Sequence, residues 1–372
     1  MPFGSSSVME NRRRLVCEIL SEGVSLSEAC RRAGVTRKTG LKWVNRAREF
    51  GVEVMEELSR APKSCPKRTC LETQNALLAL KDRYPEWGAG KLTKILQTES
   101  GICLPPRTGD EVLRRCGRTK KTPRVVLQPL ERFERDECGA LLQMDFKGLP
   151  QTVPYSVLSV LDDHGRYCLA FEALKDKTGP SVKEALWNLF GTHGLPDSIL
   201  SDNGDCWGSA TSKAPSKLEA WLMLLGIKPI HGRPGHPQTQ GKVERFHLTA
   251  KIELGTQLCQ SSIEEVRPIL KDFVQRYNWV RPHDALGGKV PGSRYTPFPR
   301  KRPEKLPEHQ IPPGSITRRV DQDGLIYFKN VIYKLGKGLH GNSVVLKEDE
   351  FGILTYFQGF PLAYISELKI YS

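Results

Sequence analysis

The sequence has little of what marks a membrane, secreted or zinc-ribbon protein. No segment approaches the roughly 18–20 consecutive apolar residues needed to cross a bilayer, and the N-terminus, MPFGSSSVMENRRR, lacks the apolar core of a signal peptide. Ten cysteines are present, but no two form a C-x-x-C pair, so the spacing indicates neither a zinc ribbon nor a disulfide framework. We therefore expect a cytoplasmic protein with no membrane partner and with reduced, individually placed thiols.

Acidic residues are also scarce in the first third of the chain. Residues 1–130 hold 25 Lys and Arg against 14 Asp and Glu, and so account for most of the net charge of +14 in a chain of 372 residues. Such a length predicts two or more domains. A basic N-terminal part joined to a nearly neutral body favours binding of a polyanion, most economically nucleic acid. Ordinary solubility is the alternative explanation of the charge.

Three helical segments are predicted within residues 9–58. The second begins at SLSEACRRAG, where Ser25 and Glu28 have capping-box spacing, and the third, TRKTGLKWVNRAREF, is strongly basic. Two helices joined by a short Gly-containing turn are typical of a helix-turn-helix. We predict a DNA-binding domain here, and the residues predicted to contact DNA are Arg37, Lys38, Lys42 and Arg46. The alternative is a three-helix domain with a solvated basic face.

A second all-α unit is predicted over residues 70–118. Its segments LETQNALLALKDR, AGKLTKILQTESG and RTGDEVLRRCG read as three helices, with breaks at Pro and Gly. The pattern resembles another helix-turn-helix, although a plain helical spacer would leave the same trace. Residues 119–137 are basic and contain prolines, which predicts a linker that either follows a phosphate backbone or simply connects two domains.

The composition changes near residue 138 to that of an α/β domain. Three short β-type runs, LLQMDFKG, TVPYSVLSVLDD and RYCLAFEALKD, are followed by a helix and by a further strand, DSILSDNGD. This order predicts a sheet covered by helices. Two carboxylates are notable: Asp145 lies inside the first strand, where a charge is out of place unless it is used, and Asp202 lies at the tip of the fourth.

A third carboxylate follows a loop rich in Gly, Pro and Gln. In HGRPGHPQTQGKVERFH, Glu244 falls in the first turn of a predicted helix. Three carboxylates brought together repel one another unless cations neutralise them, so the pattern predicts a divalent metal site. Two Mg²⁺ ions roughly 3.5–4 Å apart can activate an attacking oxygen and stabilise a leaving one. Taken singly, each acid has a simpler explanation: a turn former, an edge charge, or a charge favoured by the helix dipole.

These blocks carry a family resemblance. LLQMDFKG, ILSDNGD and HPQTQGKVERFH resemble the three catalytic blocks of DDE-type insertion-sequence transposases, whose core is similar to that of retroviral integrases, and YNWVRPHDALGGKVPGSRY resembles the tail of that core. The resemblance implies an RNase H-like core over residues 138–285, a mixed five-stranded sheet flanked by helices. It implies that Asp145, Asp202 and Glu244 bind two Mg²⁺ ions, with Mn²⁺ as a substitute. The DNA contacts expected near this site are Gln240, Lys242 and Lys251.

One spacing departs from the family pattern. The 41 residues between Asp202 and Glu244 exceed the usual number, and we assign the excess to the polar segment GSATSKAPSKLE, which can bulge without disturbing a sheet. Beyond the core, residues 286–312 are rich in Pro and Arg and predict an extended linker. Residues 313–372 alternate short β runs with turns and predict a small five-stranded β-barrel.

The resemblance implies a transposase that binds the terminal repeats of a mobile element and catalyses metal-dependent cleavage and strand transfer. Its partners would be double-stranded DNA, both terminal repeats and target, and further copies of itself, because two ends must be joined. Two alternatives remain open: a non-catalytic DNA-binding regulator or transposase remnant, and a metal-dependent nuclease that cuts without joining.

Overall fold

The computed structural model describes residues 7–53, 55–57, 68–119, 134–202, 215–232, 240–350 and 352–365. The contacts divide the chain into two compact units, residues 1–69 and residues 70–372. Several predicted segments lie largely outside the described residues: most of the basic linker 119–137, the polar segment after Asp202, and most of the loop that precedes Glu244.

The first unit consists of three helices with a small shared core. Each begins after a hydroxyl side chain that accepts a backbone N–H: Ser7, Ser25 and Thr36. Gly40 allows the second and third helices to approach closely, because a Cβ at that position would collide with the Cys30 thiol. The helices are α1 (Val8–Leu20), α2 (Leu26–Arg32) and α3 (Arg37–Phe50).

Three more helices open the second unit, around a core that includes Leu77, Leu92 and Val112. A Cβ on Gly109 would lie 2.8 Å from the Thr93 methyl group, so the absence of a side chain lets two of these helices cross closely. The helices are α4 (Leu71–Arg83), α5 (Ala89–Ser100) and α6 (Pro106–Arg115). Helical structure is thus present where both all-α units are predicted, and their roles stay predictions.

A mixed five-stranded sheet forms the centre of the second unit, as predicted. The strands are β1 (Leu142–Lys147), β2 (Ser156–Asp162), β3 (Cys168–Leu174), β4 (Ser198–Ser201) and β5 (Lys228–His231). Their order in the sheet is β3-β2-β1-β4-β5. Strands β1, β2 and β3 pair antiparallel, whereas β4 runs parallel to β1 and to β5.

Helices cover both faces of this sheet. They are α7 (Gly179–His193), α8 (Lys217–Leu224), α9 (Gly241–Leu254) and α10 (Ile263–Trp279). One face packs against α7 and α8 through residues such as Leu142, Met144 and Trp221, and the other packs against α9 and α10 through Phe171, Phe246 and Phe273.

Part of the predicted linker 286–312 is instead built into the core. Phe298 is 5% exposed and belongs to the core on the α7 and α8 side, its N–H donates to His193 O at 2.8 Å, and Arg300 O accepts from Leu195 N at 2.7 Å. A Cβ on Gly139 would lie 2.6 Å from the Phe298 ring. The composition predicted an extended linker, but buried aromatic surface fixes this stretch against the core.

The C-terminal strands differ from the predicted five-stranded barrel. Six strands lie within the described part of residues 316–365: β6 (Ile316–Arg319), β7 (Leu325–Phe328), β8 (Val331–Lys334), β9 (Ser343–Asp349), β10 (Gly352–Phe357) and β11 (Phe360–Ile365). They form a four-stranded sheet, β11-β10-β9-β6, and a two-stranded sheet, β7-β8. The β7-β8 hairpin turns at Lys329 and Asn330, both with positive φ, a geometry that suits a two-residue hairpin.

Candidate active site

Strand β1 separates apolar from polar side chains, and this alternation positions Asp145. Leu142 and Met144 pack on the α7 and α8 side of the sheet, whereas Gln143 reaches the backbone of α9. Successive strand residues point to opposite faces, so Asp145 shares the α9 side with Gln143. Its carboxylate accepts the Phe146 N–H at 2.7 Å, and 23% of its side chain is exposed.

Asp202 follows β4 at the same level as Asp145. The parallel pairing of β1 with β4 aligns Leu142 with Ile199 and Gln143 with Leu200. Asp145 and Asp202 each come two residues after the last of these pairs, and the carboxyl ends of parallel strands meet at one edge of a sheet. The fold therefore brings the two predicted acids to neighbouring positions. The side chain of Asp202 is exposed.

Glu244 is exposed in the first turn of α9, and a buried polar network fixes that turn against the sheet. Gln143 Oε1 accepts the Val243 N–H at 3.3 Å, and Gln143 Nε2 donates to Asp163 at 2.8 Å. Lys242 Nζ lies 2.6 Å from the same carboxylate, which is fully buried. Val243 and Lys242, in the first turn of α9, are thus held by Gln143 on β1 and by Asp163 at the end of β2. These contacts set the position of Glu244.

The three acids form one electrostatic cluster. Burial is the main cause that raises the pKa of Asp145 from 3.8 to about 6, and the charges of Asp202 and Glu244 raise it further. Three carboxylates offer the hard oxygen ligands that Mg²⁺ prefers, and the repulsion felt at Asp145 is of the kind that a bound cation relieves. Among the residues that the structure describes, however, no group of three or more His, Cys, Asp and Glu side chains is arranged to hold a metal ion.

His247, which was not among the predicted site residues, lies beside Asp145. Its Nε2 is 2.7 Å from the hydroxyl of Ser159 on β2, which is fully buried, and its Nδ1 is 3.7 Å from Asp145 Oδ2. Burial, followed by the charge of Lys147, lowers the pKa of His247 to about 4. The imidazole is therefore neutral at physiological pH, and its approach to Asp145 is a polar contact between a neutral ring and a carboxylate. Its three-residue spacing from Glu244 on one helix face was the available signal.

A second histidine contacts the backbone of Asp202. His231 ends β5, its Nδ1 donates to Asp202 O at 3.2 Å, and its Nε2 donates to Glu219 Oε1 at 2.7 Å. The hydrogen bond to Glu219 is the main cause that raises the pKa of His231. Glu219 lies on α8, 12 residues earlier in the chain, so only the folded structure reveals the pair.

The residues predicted to contact DNA near the three acids differ in accessibility. Lys251 is exposed on α9. Burial is the main cause that lowers the pKa of Lys147, and the nearby charge of Lys251 lowers it further. Two cations, Lys147 and Lys251, therefore lie close to the acids. Lys242 is only 10% exposed and is paired with Asp163, which argues against its predicted DNA contact. Gln240 is 8% exposed, and no described residue accepts a hydrogen bond from its amide nitrogen.

The basic residues of α3 also fall into two groups. Arg37 and Lys38 are exposed at its first turn, consistent with the prediction that they face DNA. Lys42 Nζ, by contrast, lies 2.9 Å from Glu57 and 4.5 Å from the centre of the Trp43 ring. Arg46 donates to Glu56 O and also lies over Trp43. The acidic segment after α3 therefore occupies two of the four side chains predicted to contact DNA.

Comparison with known proteins finds similarity to integrase cores over part of the chain. Two family models described as "Integrase core domain" match residues 136–237 and 225–291. The "Insertion element IS476 uncharacterized 39.2 kDa protein" of Xanthomonas euvesicatoria is 23% identical over 291 residues, 76% of each chain. The resemblance predicted from the sequence, to insertion-sequence proteins with an integrase-type core, is confirmed by these matches.

Longer proteins match over smaller parts. "Uncharacterized protein K02A2.6" of Caenorhabditis elegans is 29% identical over 47% of this chain, and the Gag-Pro-Pol polyprotein of Mason-Pfizer monkey virus is 38% identical over 21% of it; the matches span only 13% and 4% of those proteins.

Among solved structures, the HTLV-2 integrase catalytic core domain in complex with magnesium is 16% identical, with a TM-score of 0.35, and matches 43% of this chain and 99% of its own. A chain of the simian T-cell lymphotropic virus intasome in complex with the PP2A regulatory subunit B56 gamma is 15% identical, with a TM-score of 0.38, and matches 80% of this chain and 100% of its own.

No helix in the described part of the chain is long and apolar enough to cross a membrane.

Proposed function

We propose that this integrase-core chain of the insertion-sequence transposase type cuts DNA at the ends of a mobile element and joins the resulting 3′-hydroxyl to another DNA strand. The observation that carries the proposal is the meeting of three acids from three elements: Asp145 and Asp202 at one level of adjoining parallel strands, and Glu244 close enough for its charge to act on Asp145. We assign these three residues the catalytic role.

The same acids would hold the metal ions that this chemistry requires. Their carboxylates suit Mg²⁺, with Mn²⁺ as a substitute. When bound, two such ions supply activation of the attacking oxygen and stabilisation of the leaving oxygen at a phosphodiester. The protein residues would bind and orient: β1 and β4 carry the two aspartates at the sheet edge, and the hydrogen bonds of Gln143 to Asp163 and Val243 hold the start of α9, which carries Glu244.

DNA binding is assigned to the exposed basic residues. Near the acids, Lys251 lies seven residues after Glu244 on the same side of α9, where its ammonium can meet a backbone phosphate. At a distance along the chain, Arg37 and Lys38 begin the most basic helix of the first unit and would contact the terminal repeats. Because two element ends must be joined to one target, the active form on DNA would be a homo-oligomer.

The test compares wild type with Glu244→Gln on end-labelled duplexes drawn from the DNA that flanks the gene, in Mg²⁺ and in Mn²⁺. We expect nicks at a repeat terminus and longer joined products from wild type, and DNA binding without either product from the variant. Glu264→Gln provides a matched control, because Glu264 is also an exposed glutamate in the first turn of a core helix. It should retain both activities.

Each other outcome decides between the alternatives. Nicks without joined products would favour a nuclease, and binding without cleavage by wild type would favour a regulator or a transposase remnant. Strand transfer by Glu244→Gln would remove Glu244 from the active site.

A further inference from the structure

A buried ion pair next to Asp202 has no part in the proposed chemistry. Glu219 on α8 is 8% exposed, and the His231 side chain at the end of β5 is 13% exposed. Burying a charged pair costs desolvation energy that the pair recovers only with good geometry. The hydrogen bond of 2.7 Å between them meets that condition, and the position of His231 gives the pair a role beyond stability.

The ring of His231 is held from both sides. Nε2 faces the Glu219 carboxylate, and Nδ1 faces the main-chain oxygen of Asp202. Both partners can only accept hydrogen bonds, so both ring nitrogens must donate. The pairing of Ser201 with His231 in the sheet aligns the ring with the point where β4 ends. Ser201 O accepts the Gly232 N–H at 3.0 Å, so the end of β4 is joined to β5 both by this sheet bond and by the contact of His231 with Asp202 O.

Glu219 is itself fixed by the start of α8. Its Oε2 accepts the Ser216 N–H at 2.6 Å, and Ser216 Oγ accepts the Glu219 N–H at 3.2 Å, which together form a capping box. One carboxylate thus caps the helix with one oxygen and holds His231 with the other. Both oxygens of Glu219 are thus engaged, one with the start of the helix and the other with His231.

Helix α8 also ties this pair to the C-terminal strands. Trp221 and Leu222 pack into the core of the sheet, whereas Ala220 and Met223 complete the core of the C-terminal strands. Gly338 meets the start of the helix, because a Cβ there would collide with the main chain of Pro215 and Ser216. The helix that carries Glu219 is therefore clamped between two cores and cannot shift freely.

We propose that Glu219 and His231 are positioning residues for Asp202: they fix its main chain at the end of β4 and so aim its carboxylate toward Asp145. The proposal rests on the catalytic role assigned to Asp202 above. Second-layer partners of metal ligands typically contribute 10- to 100-fold in metal affinity or activity. Because His231 acts on the backbone rather than on the carboxylate, we expect a loss of about tenfold, at the lower end of that range.

The test separates positioning from folding. His231→Leu removes both donors while filling similar space, and Glu219→Gln offers an acceptor to only one of its two donors. Both variants are expected to bind DNA as wild type does, to need about ten times more Mn²⁺ for cleavage, and to bind Mn²⁺ correspondingly more weakly without DNA, as measured by electron paramagnetic resonance of the free ion. Ser216→Ala weakens the helix cap but leaves His231 paired, so it should lower the melting temperature without shifting the Mn²⁺ dependence.

The outcomes distinguish this proposal from the proposed function. If wild type cleaves and joins DNA but His231→Leu and Glu219→Gln do so at the same Mn²⁺ concentration, positioning is refuted while the function stands. A shift that Ser216→Ala reproduces would assign the effect to helix stability and also refute it. If wild type shows neither Mn²⁺ binding nor cleavage, the proposed function fails first. Should His231→Leu not fold, Glu219→Gln decides.

Discussion

Replacing Asp145 by Asn is expected to stabilise the protein when no divalent cation is present. The Asp145 carboxylate is largely buried among two other acids, and the pKa of Asp145 is raised from 3.8 to about 6. Asn has nearly the same shape, and its side-chain oxygen can still accept the Phe146 N–H that Asp145 accepts at 2.7 Å. The substitution therefore removes the charge and keeps the local hydrogen bond.

The size of this stabilisation and its pH dependence follow from the raised pKa of Asp145. Because the folded chain holds the Asp145 proton more tightly than the unfolded chain, the contribution of protonated Asp145 to folding stability is complete below about pH 4 and is lost as the pH rises to about 6. An increase of about two in the pKa corresponds to about 3 kcal/mol of folding free energy. Since 23% of the side chain is exposed, solvent screening reduces this value, and we expect roughly 1–3 kcal/mol.

Thermal or urea unfolding in a chelator, measured at several pH values, tests the prediction. The advantage of Asp145→Asn over wild type should grow between about pH 4 and pH 6 and stay constant above, and added Mg²⁺ should narrow it by stabilising only wild type. Asp176→Asn is the control: Asp176 is exposed, and hydrogen bonds from Thr178 and Ser181 lower the pKa of Asp176, so its neutralisation should not stabilise the fold. A variant that is no more stable than wild type at neutral pH in chelator would refute the reasoning.

Three further predictions concern residues whose role the structure revises or leaves open. Lys242→Met should cost about 3–5 kcal/mol in urea unfolding, because it removes the cation that is paired with the buried Asp163 carboxylate, whereas equal stability would support the predicted DNA contact of Lys242. Phe298→Ala should cost about 3–5 kcal/mol in the same assay, since the ring is buried in the core; an unchanged unfolding midpoint would support the predicted extended linker. Lys251→Ala should weaken DNA binding about equally for all sequences. It should also reduce the slope of the logarithm of the association constant against the logarithm of the salt concentration by about one, and an unchanged slope would refute this phosphate contact.

Local sequence patterns predicted four of the five strands of the sheet and singled out the three acids, whereas a fifth strand was expected only from the family resemblance. The β-type run LLQMDFKG predicted β1 with Asp145 inside it, and the run DSILSDNGD predicted β4 with Asp202 at its tip. Each of these signals lies within one element, which is why a single sequence carries them.

Other features depend on contacts between distant residues. Glu219 and His231 lie on different elements, and no spacing in the sequence links them. The inward position of Lys242 agrees with helix geometry, because residues two apart on a helix point to opposite sides, and Glu244 is exposed. The linker prediction failed for a different reason: its prolines and arginines predicted an extended chain, but Phe298 packs against Gly139 in a site that only the fold creates.

A precleaved element end allows strand transfer by the three acids to be measured directly. Wild type and Glu244→Gln would each receive a labelled terminal duplex with a recessed 3′-hydroxyl, a matched duplex ending in 3′-hydrogen, and an unlabelled target. We predict joined products, longer than the labelled strand, only from wild type with the 3′-hydroxyl end. Products that form equally from the 3′-hydrogen end, products made by Glu244→Gln, or only shortened strands from wild type would contradict strand transfer at the three acids.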